Sequence, residues 1–294
     1  MIAGKPRSIR IAAVAAALLL AACEPGVLNP AGPVAAGERT VLLNSLVIML
    51  GIVIPTIVAT LAFAWWFRAG NTRATYLPTW TYSGRVELLV WSVPALVVIF
   101  LAGITWIGSH DLAPEKPLAS KVAPIEVQVV ALDWKWLFIY PGQNVATVNR
   151  LVIPVGTPVR FRITSGTVMN SFFVPQLGSQ IYAMSGMDSR LHLQADQPGR
   201  YRGMSAHYSG EGFADMNFVV DAVPRAQFAG WAAQTRAAGP LLDGPGFAKL
   251  AREASSVKTP FSYRAVLPGL YDRIVAHAGA AVRDTADSGR EDKK

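Results

Sequence analysis

Thiols and imidazoles are scarce in this chain of 294 residues, which has one cysteine, Cys23, and four histidines. A single thiol excludes an internal disulfide and any multi-cysteine metal site, and the few histidines offer little else for a soft-metal cage. Charge is scarce as well: 16% of residues are charged against 52% hydrophobic, and mean hydropathy is +0.32. That balance excludes a disordered chain and is too apolar for an ordinary soluble domain. The formal net charge of +8 comes from 27 Lys and Arg against 19 Asp and Glu. These cations are scattered, without a basic stripe interleaved with aromatics, so nucleic acid is excluded as a partner. What remains is a membrane protein.

The amino terminus has the pattern of an export signal. Lys5, Arg7 and Arg10 precede an uncharged run from Ile11 to Ala22, whose 12 residues are too few to span a bilayer. The run ends in Leu20-Ala21-Ala22-Cys23, which resembles the bacterial lipoprotein box, where the chain is cut before the cysteine and its thiol is acylated. Residues 1–22 are therefore expected to be a signal peptide, with Cys23 lipidated. Residues 23–40 form an expected flexible tether, because Glu24 to Gly37 is rich in Pro, Gly and Ala.

Two long uncharged runs follow, 27 residues from Val41 to Phe67 and 21 from Leu88 to Gly108. At about 1.5 Å per residue each is long enough for a hydrocarbon core of roughly 30 Å. Transmembrane helices are expected over residues 41–67 and 87–109, the first with a kink at Pro55 and the second containing Pro94. Trp91 and Trp106 lie toward the ends of the second, as interfacial aromatics do. The loop 68–86 carries Arg68, Arg73 and Arg85 with no acid among them, which places it in the cytoplasm and both flanks outside.

Beyond Pro117 the pattern changes to alternation, as in Ile125-Glu126-Val127-Gln128-Val129, Val159-Arg160-Phe161-Arg162-Ile163-Thr164 and Leu191-His192-Leu193-Gln194-Ala195. Period-two alternation marks strands with one wet face, and clusters such as Pro141-Gly142 and Gln197-Pro198-Gly199 mark the turns between them. Residues 122–222 thus read as a small all-β sandwich or barrel. Residues 223–284 turn Ala-rich and helix-favouring, and the polar residues 285–294 read as a disordered tail.

Two membrane helices feeding an outer β domain, with Asp133-Trp134-Lys135-Trp136 early in it, resemble subunit II of the haem-copper respiratory oxidases. Three strings are similar to the bo-type ubiquinol oxidases within that superfamily: Val168-Met169-Asn170-Ser171-Phe172-Phe173-Val174-Pro175, Gly178-Ser179-Gln180-Ile181-Tyr182-Ala183-Met184, and Ser205-Ala206-His207-Tyr208-Ser209-Gly210-Glu211-Gly212-Phe213. The aromatics Phe228, Trp231, Phe247, Tyr263 and Tyr271 are similar to that branch's carboxy-terminal extension. The fold this implies is two transmembrane α-helices, then an all-β cupredoxin-like Greek-key barrel, then a helical extension.

In the cytochrome c oxidase branch the barrel holds a binuclear copper centre with two His, two Cys spaced C-x-x-x-C, a Met and a backbone carbonyl. Carried onto this sequence, Asn170 stands at the first His position, Ser205 and Ser209 at the Cys positions, and Phe213 at the second His position. Met216 alone survives, and is expected to be a core residue. His207 falls where the family uses a carbonyl, and a surface or hydrogen-bonded role is expected for its ring. Hydroxyls and amides do not replace thiolates and imidazoles around soft copper, so no metal is expected in this chain. His192 is placed on the polar face of its strand, and His110 and His277 are isolated.

Without that copper the port for cytochrome c electrons is gone, and no cytochrome c docking is expected. The resemblance implies ubiquinol as the donor, haem and copper in subunit I, outward proton pumping, and oxidase subunits I, III and IV together with membrane lipid as partners. Trp134 and Trp136 are expected to pack the barrel against subunit I. Glu87 stands seven residues before Pro94, a spacing at which the family has a Glu at the cytoplasmic mouth of a proton path into subunit I. A carboxylate there suits proton uptake, and the alternative is an acid favoured by the helix dipole. Two other functions compete: a copper-bearing cytochrome c oxidase subunit, against which the missing ligands argue, and a free-standing membrane-anchored β protein binding a small ligand.

Overall fold

The computed structural model describes residues 26–75, 77–252 and 257–277. The expected signal peptide, the lipidation site Cys23 and the polar tail from Thr285 lie outside the described residues. Two helices come first, α1 (Pro33–Trp66, 34 residues) and α2 (Gly84–Asp111, 28 residues), and both run through their internal prolines, Pro55 and Pro94. Their central apolar windows are wholly unburied within this chain, with leucines, valines and tryptophans pointing outward. Side chains of that kind need lipid or partner helices around them. The helices meet near their outer ends, where Gly108 of α2 lies so close to Val41 that a Cβ would stand 3.0 Å from the Val41 Cγ2.

The flexible tether is a misreading for its second half. Pro33 opens α1 at its first turn, where a fixed φ and a missing N–H cost nothing. Ala31, Val34 and Ala35 are buried against the β domain. Ala31 N–H donates to Gln176 O at 2.7 Å, Ala35 N–H to Leu177 O at 3.2 Å, and Asp196 N–H to Ala31 O at 2.8 Å. Gly32 allows this approach, since a Cβ there would lie 2.0 Å from the Gln194 carbonyl oxygen. One turn on, Ser179 Oγ donates to the Glu38 carboxylate. The Pro, Gly and Ala of this segment serve close packing and a helix start instead of slack.

The outer domain comprises β1 (Ile125–Leu132), β2 (Lys135–Tyr140), β3 (Val145–Val148), β4 (Arg150–Pro154), β5 (Val159–Ser165), β6 (Asn170–Val174), β7 (Gly178–Ala183), β8 (Ser189–Leu193), β9 (Gly199–Ser205) and β10 (Asn217–Val223). After it come α3 (Arg225–Ala237), β11 (Leu241–Leu242), α4 (Gly244–Arg252), β12 (Phe261–Tyr263) and β13 (Ala265–Val266), and a last helical stretch covers 270–277. Two mixed sheets face one another, in the orders β12-β3-β2-β1-β5-β8 and β4-β10-β9-β6-β7. β1 runs parallel to β5 with Val127 beside Phe161 and Val129 beside Ile163, which turns all four inward while Glu126, Gln128, Arg160 and Arg162 face out. Phe172 stacks on Phe218 at 5.2 Å, and Trp136 meets both edge-on at 5.5 and 5.7 Å, filling the space between the sheets.

The extension is not purely helical. β12 adds to the edge of β3, pairing Phe261 with Val148 and Tyr263 with Ala146. Around it Leu242, Leu250, Val266, Leu270, Tyr271 and Ile274 cover Val130, Leu132, Leu137 and Ile139, which lie on the outer face of the first sheet. At that end the expected wet face is dry, because β1 and β2 are apolar on both sides.

Candidate functional site

The residues that the resemblance sets at copper-ligand positions converge on one end of the sandwich, the end built by the β1–β2 turn and the loops after β5, β7 and β9. Asn170 is the first residue of β6 and Ser205 the last of β9, and both are buried. Ser205 Oγ lies 3.1 Å from Asn170 Oδ1 and 3.1 Å from the His207 carbonyl oxygen, so its single proton is shared between two acceptors. Asn170 Nδ2 donates in turn to Val168 O at 3.1 Å.

Ser209 and Met216 form a second pair, with Oγ 3.9 Å from Sδ, and Met216 is buried in the core as expected. Phe213 turns away to Tyr208, ring centres 5.7 Å apart, and the His207 ring stands edge-on to Tyr182 at 5.9 Å. The structure thus gathers Asn170, Ser205 and the His207 carbonyl into one hydrogen-bonded cluster, sets Ser209 against Met216, and leaves Phe213 and the His207 ring outside both.

The donor set does not fit a soft metal. Copper of that kind prefers thiolate and imidazole, and these positions offer two hydroxyls and an amide, already engaged in contacts of their own, together with a phenyl that has no donor atom. Among the described residues no three His, Cys, Asp or Glu side chains are close enough to share a metal ion.

Of the two tryptophans expected to face subunit I, Trp136 is enclosed within this chain and Trp134 is half-buried against one of its loops. Trp136 is wholly buried between the sheets, so it packs the barrel interior. Trp134 sits at a positive φ of 58°, a costly conformation for a bulky residue, which turns its indole onto the β9–β10 loop. There Nε1–H donates to Ser209 O at 3.2 Å, and the ring lies so close to Gly212 that a Cβ would come within 2.2 Å of Trp134 Cδ2. His192 is likewise not on a wet face. It is buried, with its N–H donating to Pro114 O at 2.9 Å, because the segment after α2 crosses over β8. His110 Nδ1 lies 2.8 Å from Trp106 O, one turn back along α2.

Glu87 lies in the first turn of α2, exposed, at the opposite end of the helix from the β domain. Ser83, the N-cap residue, makes no side-chain capping bond. The Glu87 carboxylate looks forward along the helix, where Oε2 accepts from Trp91 Nε1–H at 3.0 Å.

One polar cluster has no signal in local spacing. Arg162 on β5 binds Asp188 Oδ2 and Asp272 Oδ1, each at 2.9 Å, and its guanidinium lies 4.8 Å from the centre of the Tyr271 ring. Tyr271 O–H donates to Asp188 Oδ1 at 2.9 Å. Burial, then the bond to Asp188, pushes the Tyr271 phenol well above its usual range. Burial pulls the Arg162 guanidinium down, but Asp188 and Asp272 outweigh it and raise it overall. The cluster clamps the end of the extension to the sandwich across 110 residues of sequence.

The sequence model of "Cytochrome C oxidase subunit II, periplasmic domain" matches residues 125–223, which are the ten strands of the two sheets without the extension's own. The chain is 50% identical to "Ubiquinol oxidase subunit 2" of Acetobacter aceti, over 92% of this chain and 88% of that one. It is 47% identical to "Cytochrome bo(3) ubiquinol oxidase subunit 2" of Pseudomonas aeruginosa, over 89% and 79%, and 45% identical to the Pseudomonas putida protein of the same name, over 85% and 80%. The chain belongs to the ubiquinol oxidase subunit 2 family. Its two apolar helices and its cupredoxin-like β domain are those that the resemblance implied.

Proposed function

We propose that this chain is the non-redox subunit II of a proton-pumping terminal ubiquinol oxidase in a bacterial inner membrane, acylated at Cys23, with its β domain in the periplasm. Haem and copper reside in subunit I, where electrons from ubiquinol reach oxygen, and subunits I, III and IV are the partners. The supporting observation is the Ser205, Asn170 and His207-carbonyl cluster, which fills with mutually bonded hard groups the place where a copper port would need soft ones. The chain's own work is then to cover and hold subunit I and to hand protons to it.

Glu87 is the group for that second task. Its carboxylate is bonded to a side chain instead of to the first-turn amides, which favours a site open to exchange over a helix cap. A complex purified through this chain should carry haem, oxidise ubiquinol with oxygen, and leave reduced cytochrome c untouched. Purification of the chain without haem-containing partners would overturn the reading, as would cytochrome c oxidation by the purified complex.

A further inference from the structure

We propose that Trp91 is a positioning residue for Glu87, an inference that rests on the proton-uptake reading of that carboxylate. Residues four apart on a helix lie over one another, and Trp91 is placed where its indole reaches back one turn. Its Nε1–H holds Glu87 Oε2 at 3.0 Å, and Oε1 is left for water or for a partner subunit. The indole is 73% exposed, so the pair is presented outward on α2, away from the contact with α1 at Gly108.

A glutamate with three rotatable bonds at a helix surface otherwise samples several rotamers, and most of these carry its oxygens away from any one acceptor. Proton transfer needs heavy atoms within about 2.6–3.2 Å, so a side chain held in one pose relays protons more often than one that wanders. The competing role for Trp91 is that of an aromatic anchor at the membrane interface, for which ring size matters and the N–H does not.

The two roles separate in the assembled complex, with turnover and KM measured in ubiquinol and haem content as the check on assembly. Trp91→Phe keeps an apolar ring and loses the donor. It should lower kcat about two- to tenfold, the factor equivalent to one ordinary hydrogen bond, with KM unchanged. Trp91→Leu should lose no more than Trp91→Phe does. In a Glu87→Gln background Trp91→Phe should cost nothing further, because the group it positions is already gone.

Wild-type turnover in Trp91→Phe, beside a slow Glu87→Gln, overturns the positioning role and leaves Glu87 in place. A slow Trp91→Leu beside a normal Trp91→Phe does the same and makes Trp91 an anchor, and losses that multiply in the double variant show that the two residues act separately. Wild-type turnover in Glu87→Gln removes the proton-uptake reading itself and this inference with it.

Discussion

At Ser205 one hydroxyl proton is shared between the Asn170 amide oxygen and the His207 carbonyl, and at Ser209 a second hydroxyl meets a thioether. The resemblance sets each of these groups at a copper-ligand position, and the fold brings them to one end of the sandwich. The outer domain from residue 121 to 277, expressed alone, should therefore fold without metal and show no purple or near-infrared copper absorption. Changing Asn170 and Phe213 to His, and Ser205 and Ser209 to Cys, with Met216 kept, supplies the soft donors, and copper absorption should appear. Stoichiometric copper in the unchanged domain refutes the first expectation, and a quadruple variant that folds but stays colourless refutes the second. That Asn170 and Ser205 lie near one another, and Ser209 near Met216, was foreshadowed by the resemblance. The part played by Trp134 was not, since its contact with Gly212 and Ser209 depends on a positive φ that no residue pattern announces.

Elements differ in how far their sequences announce them. α1 and α2 follow from runs without charge, and β1, β5 and β8 from alternation, because in each the signal repeats along the element itself. β12 has three residues and is a strand only because β3 offers a free edge, so nothing local marks it. The same holds for the apolar outer face of β1 and β2: the alternation in Ile125 to Val129 implied a wet face, yet Val130, Leu132, Leu137 and Ile139 need the extension to cover them. A fragment ending at Val223 would expose that face, and contiguous apolar patches of this kind drive association. We expect residues 121–223 to be aggregation-prone and residues 121–277 to be monomeric and cooperative in thermal unfolding, measured by light scattering and circular dichroism. Equal solubility and equal melting temperatures for the two would show that the extension contributes little to the sandwich.

For the whole molecule the question is what holds the outer domain in its pose over the membrane. Two attachments are to be weighed, the lipid proposed at Cys23 and the first turns of α1. α1, at about 51 Å, is far longer than a hydrocarbon core of roughly 30 Å. Its surplus projects outward and is fixed to the sandwich by the backbone bonds at Ala31 and Ala35 and by Glu38 to Ser179. From these contacts we expect the helix to set the pose, and the lipid proposed at Cys23 only to add to the anchorage of two spanning helices. Intact mass of the mature chain should show it beginning at Cys23 and acylated. Cys23→Ala should impair processing while leaving the assembled complex nearly as active as before. Gly32→Val should do the reverse, since its side chain would collide with the Gln194 carbonyl and push the start of α1 off the sandwich. Limited proteolysis near residues 31–40 reads the difference: Gly32→Val should be cut faster than the parent and Cys23→Ala at the parent's rate. Faster cutting of Cys23→Ala, with Gly32→Val unchanged, would make the lipid and not the helix the element that orients the outer domain.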